Sequence, residues 1–279
     1  MFARLPGALM RAFLVVVLLV IPSFLLPMEG TDGSMVVVLI ALCAAFFTLV
    51  EYMSNSPSIV EFRDAPPFNR IRYVALLVTV TTLSFLLAEN DRASVVTQYL
   101  QMAGERLGTA MDFPFSPVRL LVLMMPENTP STVISAIRVS GGLAYLCSLA
   151  SIAVFVIMLR LKRWPRRSGT FNVWINLPRF DPTAGGDVVV RLNKDSGVNL
   201  VLGFLLPFVV PAIVKIISLF GGGINLSDPQ TLVWVVTAWA FLPASLLMRG
   251  VALSRVAQLI HKQRKKAYAQ AVSDGLLPA

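Results

Sequence analysis

Six long apolar runs constrain the fold more than any other feature of the sequence. They cover residues 8–26, 35–53, 71–88, 133–161, 198–220 and 231–248. A helix that crosses a bilayer needs about 20 mainly apolar residues and satisfies its own backbone hydrogen bonds. We therefore predict an all-α integral membrane protein with six transmembrane helices in a single membrane domain, residues 1–279.

The composition supports this prediction. Of the 279 residues, 56% are apolar and 14% are charged, whereas soluble proteins carry about 25% charged residues. Arg4 and Arg11 precede an apolar stretch from Ala12 to Leu26, as in a signal peptide. Residues 25–29 lack the small side chains that signal peptidase requires, so we expect this run to remain as an uncleaved anchor.

The distribution of lysine and arginine predicts the orientation of the helices. Nineteen of the 24 lie in the N-terminal segment, in alternate loops and in the C-terminal tail. Because cytoplasmic loops are enriched in these residues, we predict a bacterial-type inner-membrane protein with both termini cytoplasmic. The net charge of +9 then lies beside the membrane, where it attracts anionic lipid head groups rather than nucleic acid.

Residues 89–132 form the predicted periplasmic segment. Apolar residues recur there at three- and four-residue steps, which indicates one face of a helix. These residues are Val96, Tyr99, Leu100, Ala103 and Leu107. The apolar part of residues 112–126 is too short to span a bilayer, and its prolines and Arg119 oppose deep insertion. We expect a helix lying in the outer interface, with a re-entrant loop as the alternative.

Residues 162–197 form the predicted cytoplasmic insertion. Phe171, Val173, Ile175 and Leu177 occupy alternate positions, with Asn172 and Asn176 opposite. A β-branched run follows at residues 188–190. A period of two is typical of strands, so we predict a small β-hairpin. Two strands alone are marginally stable, and the hairpin must lean on the membrane surface, the helix ends or another protein.

Residues 249–279 form a basic cytoplasmic tail. Helical spacing of Val251, Val256, Leu259 and Ile260 predicts an amphipathic helix that continues the sixth run. We expect its basic side chains to contact anionic lipid. These side chains are Arg255, Lys262, Arg264, Lys265 and Lys266. An acidic partner protein is the alternative contact.

The segment between the second and third runs contains Phe62, Pro66, Pro67 and Phe68. Paired prolines fix an extended backbone and cannot donate hydrogen bonds. We interpret this segment either as a docking epitope for a partner or as a rigid turn at the interface.

Small residues recur every four positions in the fourth run, at Ala136, Ser140, Ala144 and Ser148. Such a stripe allows a second helix to approach closely in a membrane. The hypothesis is a helix-packing surface, used either inside this bundle or against a second subunit.

The fifth run contains Pro207, Pro211 and Lys215 at four-residue steps. Each proline removes one backbone hydrogen bond, so we predict a broken helix with freed carbonyl groups, as transporters use at their binding sites. Lys215 either snorkels to the outer interface or pairs with Glu89, with Asp228 or with an anionic ligand.

The sequence supplies no catalytic or metal-ligating set. Cys43 and Cys147 lie inside apolar runs, and the one histidine, His261, lies in the basic tail. We therefore expect no metal and no cofactor. The favoured function is a non-catalytic structural, assembly or accessory subunit that binds other membrane proteins. The alternative is a small-solute transporter or channel component using the fifth helix, and a lipid- or quinone-handling enzyme is a lesser alternative.

Overall fold

The computed structural model describes residues 4–26, 31–88, 95–161, 164, 171–181, 183, 185–220 and 224–274. Within these ranges the chain forms nine helices and no strand. They are α1 (Leu5–Leu25), α2 (Thr31–Met53), α3 (Phe68–Leu87), α4 (Val95–Met111), α5 (Pro117–Leu123), α6 (Ser131–Leu161), α7 (Val173–Asn176), α8 (Val188–Leu219) and α9 (Pro229–Ser273).

Six of these helices are long and apolar enough to cross a membrane, namely α1, α2, α3, α6, α8 and α9. The prediction of six such helices is therefore confirmed. Two of them extend well beyond the apolar runs, because α8 already begins at Val188 and α9 continues to Ser273.

Helix α9 lies at the centre of the bundle and α2 lies at its periphery. Helix α9 packs against α8, α6 and α3, and half of the residues in its most apolar stretch are buried. Helix α2 packs mainly against α1, and only 11% of its apolar stretch is buried. Most of the α2 surface is therefore open to lipid or to another chain.

Two clusters of buried apolar side chains hold the bundle together. The first joins α3, α5, α6 and α9 and includes Leu83, Val118 and Ile137. The second includes Phe62 and Trp164 and lies at the end of the bundle formed by residues 54–67, helix α7 and the start of α8. We call this the basic end, because its segments carry the arginines that predict a cytoplasmic location.

Helices α4 and α6 approach each other through glycines. A Cβ atom added at Gly142 would lie 2.8 Å from the Cα atom of Gly108, and one added at Gly108 would lie 2.9 Å from the Cα atom of Val139. Tyr99 and Leu107, from the predicted apolar stripe of α4, are exposed instead. Small residues therefore form the contact between α4 and α6.

Helices α8 and α9 are also in close contact. A Cβ atom added at Gly203 would lie 2.8 Å from the carbonyl oxygen of Pro243. The hydroxyl group of Ser196 donates a hydrogen bond to the carbonyl oxygen of Gly250, at 2.8 Å. These contacts fix α8 against the central helix near the basic end and in the middle of the bundle.

The predicted β-hairpin is wrong in the part of residues 162–197 that the structure describes. Residues 173–176 form α7, and residues 188–190 form the first turn of α8. Asn172 caps α7 and Asp187 caps α8, each by accepting hydrogen bonds from two backbone amides. Such caps favour a helix start over the strand that the alternation of apolar residues predicts.

Residues 112–126 contain the expected short helix, α5, and its position in the outer interface stays a prediction. Its side chains Val118 and Leu121 are almost completely buried, and the helix packs against α6 and α8. Protein covers one face of this short helix, whose buried apolar residues contribute to the first buried cluster, whereas Leu123 is 53% exposed.

Helix α9 continues without interruption into the predicted tail. Val256 is buried, and Val251 and Ile260 pack against the second buried cluster. Part of the predicted apolar face of the tail therefore packs against the protein itself. From residue 261 to residue 270 every side chain is exposed.

Candidate functional site

Lys215 binds the protein backbone in the structure. Its Nζ atom donates a hydrogen bond to the carbonyl oxygen of Met125, at 2.9 Å, just beyond the end of α5. A cation at this position stabilises the unpaired carbonyl groups of a helix C-terminus. Asp228 caps α9 by accepting a hydrogen bond from the amide of Thr231, and its pairing with Lys215 stays a prediction. Glu89 lies outside the described residues.

Helix α8 runs through Pro207 and Pro211 as one continuous helix, so the predicted break is wrong. Pro211 has no amide hydrogen and leaves the carbonyl oxygen of Pro207 without its helical partner. The indole nitrogen of Trp239 donates to that oxygen at 3.0 Å. The freed carbonyl is therefore occupied by α9 and is not directed at a solute.

Beside Pro211 lies a cavity of about 350 Å³ between α5, α8 and α9. Apolar side chains line it. They are Leu121, Met124, Leu206, Val210, Pro211, Val214, Ile224, Val235, Ala238, Trp239, Leu242 and Pro243. Such a lining does not replace the hydration shell of an ion or of a polar solute. Among the described residues, the cavity beside the two prolines is therefore apolar.

The small-residue stripe of α6 lies inside this bundle. Ser140 and Ala144 are completely buried, Ser148 is nearly so, and Ala136 is partly buried. The hydroxyl oxygen of Ser140 is buried and has no hydrogen-bond partner among the described residues. The fold itself covers this surface, and its use by a second subunit stays a prediction.

The aromatic residues of the proposed docking epitope lie in the second buried cluster. Phe62 and Phe68 are each 1% exposed, with ring centroids 4.6 Å apart. Pro67 is buried and Pro66 is exposed. The docking interpretation is wrong for the two phenylalanines, because a partner cannot reach them in the folded chain. Instead they anchor the connector between α2 and α3.

A buried carboxylate organises the same connector. Glu51, at the end of α2, is 7% exposed and accepts hydrogen bonds from the amides of Ser58, Ile59 and Val60 and from the Ser58 hydroxyl group. Arg63 reaches back to the carbonyl oxygen of Glu51 at 2.9 Å. The sequence places Glu51 near a predicted helix end, but it does not indicate that the chain folds back over the carboxylate.

Three arginines meet at a second cavity, which holds about 360 Å³ and lies at the basic end. Arg72 comes from the first turns of α3, Arg249 from α9 and Arg179 from the segment after α7. Glu61 binds Arg249 through both carboxylate oxygens, at 2.6 and 2.8 Å. These arginines are far apart in the sequence. From the sequence alone they indicate cytoplasmic segments, and they do not indicate a shared cavity.

The basic tail residues have different environments. Arg255 is partly buried, and its Nε atom lies 3.4 Å from the carbonyl oxygen of Trp164. Arg264 forms an ion pair with Asp187 at 2.7 Å. Lys262, Lys265 and Lys266 are exposed.

Asp187 is the titratable group that links the tail to the start of α8. The hydrogen bonds from the amide of Val189 and from the guanidinium group of Arg264 lower the pKa of this carboxyl group. Partial desolvation of the carboxyl group acts in the opposite direction and does not outweigh them. The charged form is therefore the one that caps α8 near neutral pH.

Comparison of the chain with protein-family models, with curated proteins and with solved structures finds no match. The function is therefore inferred from the geometry.

Proposed function

We propose that this protein is a non-catalytic accessory or assembly subunit of a membrane complex in a bacterial-type inner membrane, with both termini in the cytoplasm. The observation that carries the proposal is the exposed end of α9. This end presents a positively charged helix that the described part of the chain leaves almost uncovered.

The length of α9 supports a role outside the bilayer. Its 45 residues extend about 67 Å at 1.5 Å per residue. A bilayer core about 30 Å thick needs only about 20 of them. The remainder includes the exposed segment from residue 261 to residue 270, which contains four basic residues and no acidic residue. A helix of this kind fits a partner with an acidic surface.

The exposed segment fits a protein partner better than a lipid surface. A helix that lies in a membrane interface needs a broad apolar face to insert between the head groups. Between residues 261 and 270 the one large apolar side chain is Tyr268, which is 60% exposed. The apolar residues that precede it are used inside the protein. We therefore propose an acidic protein surface as the occupant, in place of the lipid contact predicted from the sequence.

The transporter alternative has less support. Lys215 is bound to a backbone carbonyl, and the carbonyl of Pro207 is bound to an indole group. The neighbouring cavity is apolar. The polar groups that suggested a solute path therefore stabilise the bundle instead.

Photo-crosslinking in native membranes tests the proposal. A photoreactive amino acid in place of Tyr268 should form a discrete protein adduct, and the same group in place of Tyr99, which is 66% exposed on α4, should not form that adduct. The adduct should disappear when Lys262, Lys265 and Lys266 are all replaced by glutamine. Adducts to lipid alone, or a protein adduct that survives the triple substitution, would contradict the proposal.

A further inference from the structure

The cavity of about 360 Å³ at the basic end has an unusual charge balance. Its lining contains three guanidinium groups, from Arg72, Arg179 and Arg249, and one carboxylate group, from Glu61. Both oxygens of Glu61 are bound to Arg249. The lining therefore carries a net charge of +2, although the Glu61 carboxylate also interacts electrostatically with Arg72.

Arg72 is the cavity arginine whose guanidinium group reaches into the protein interior. Its Nε atom is buried and has no hydrogen-bond partner among the described residues. Its Nη1 atom has only a long contact, at 3.4 Å, with the side-chain oxygen of Asn69. A buried donor without a partner destabilises a fold, and an unpaired buried charge destabilises it more.

Aromatic rings hold the Arg72 guanidinium in place. Its Cζ atom lies 5.2 Å from the ring centroid of Phe68 and 5.9 Å from that of Phe241. Cation–π contact of this kind favours the charged group in a fixed position. The site is thus held in place before any ligand arrives.

We propose that this cavity binds a phosphate group. Guanidinium groups present paired N–H donors that match two oxygens of a phosphate, and the unbalanced charge matches a dianion better than a carboxylate. Ser245 and Asn69 also line the cavity. The volume is within the range of about 300–1,000 Å³ that is typical of ligand pockets. The predicted position beside the inner leaflet makes a lipid head group one source of the phosphate, and a soluble phosphate is the other.

The experiment uses the purified full-length chain in a mild neutral detergent. Thermal unfolding is followed while either inorganic phosphate or a phosphatidic acid is titrated. Chloride at matched ionic strength and a diacylglycerol with the same acyl chains are the controls. We expect a saturable rise of the unfolding temperature, with phosphate or with the phosphatidic acid. The probe that produces the rise identifies the source of the phosphate group.

The substitutions Arg72→Gln and Arg179→Gln should each weaken this effect about tenfold or more, because each removes a charge-assisted contact. Arg70→Gln is the matched control, since Arg70 is an exposed arginine in the same turn of α3 and lies outside the cavity lining. If Arg72→Gln does not fold, the exposed Arg179 decides the result. The proposal is overturned if neither probe stabilises the native chain beyond its control. It is also overturned if Arg70→Gln loses as much binding as Arg179→Gln.

Discussion

Replacement of Gly142 by alanine tests the contact between α4 and α6. The new Cβ atom would lie 2.8 Å from the Cα atom of Gly108, whereas ordinary contacts begin at 3.4 Å. The two backbones must therefore separate by at least about 0.6 Å, and a gap of that size forfeits roughly a quarter of the dispersion energy of each contact along the crossing. We expect Gly142→Ala to lower the free energy of unfolding by about 1–3 kcal/mol.

Gly197→Ala is the matched control for this substitution. Gly197 also lies in a helix, but a Cβ atom added there meets nothing within 4 Å. Its replacement should therefore raise stability by up to about 1 kcal/mol, through helix propensity alone. Unfolding by titration with sodium dodecyl sulfate, followed by circular dichroism, measures both variants. The double variant Gly108→Ala with Gly142→Ala should cost less than the sum of the single variants, because one separation relieves both clashes. Equal stability of Gly142→Ala and Gly197→Ala would refute the close crossing.

Three further predictions follow from single contacts. Trp239→Phe leaves the carbonyl of Pro207 without its donor and should lower stability by about 1–3 kcal/mol in the same assay; no change would mean that this oxygen finds another partner. Phe62→Ala should lower stability by about 3–5 kcal/mol. Phe115→Ala should be nearly neutral, because Phe115 has a similar positive φ angle but its side chain is 88% exposed. Because the pKa of Asp187 is lowered, its capping of α8 should persist at pH 5 and be lost only below the ordinary aspartate pKa of about 3.9. Hydrogen exchange of the first turn of α8 measures this, and loss of protection between pH 7 and pH 5 would contradict it.

The six long helices could be predicted from the sequence because hydropathy depends on composition over a whole helix. The contacts between helices could not be predicted in the same way. Helix α4 contains Gly104 and Gly108 at a four-residue spacing, but the apolar pattern of its sequence singles out Tyr99 and Leu107. Small residues form this contact because they let the two backbones approach closely, and an apolar pattern does not indicate that.

Helix capping and contacts between distant segments explain the other differences between the structure and the predictions from the sequence. Asn172 and Asp187 each bind two amides, and this local effect reverses the strand prediction for the residues that follow. The cavity arginines come from segments more than 60 residues apart, and their meeting depends on how α3 packs against α9. No local pattern in the sequence reports such a meeting.

Labelling of single cysteines tests the six-helix membrane topology most directly. Cys43 and Cys147 are first replaced by serine, and one cysteine is then introduced at Ser227, which precedes α9, or at Ser273, which ends it. Both positions are exposed. In intact spheroplasts a membrane-impermeant thiol reagent should label the cysteine at position 227, and it should label the one at position 273 only after the membrane is permeabilised. Labelling of both positions from outside, or of position 273 alone, would contradict a membrane-spanning α9 with a cytoplasmic C-terminus.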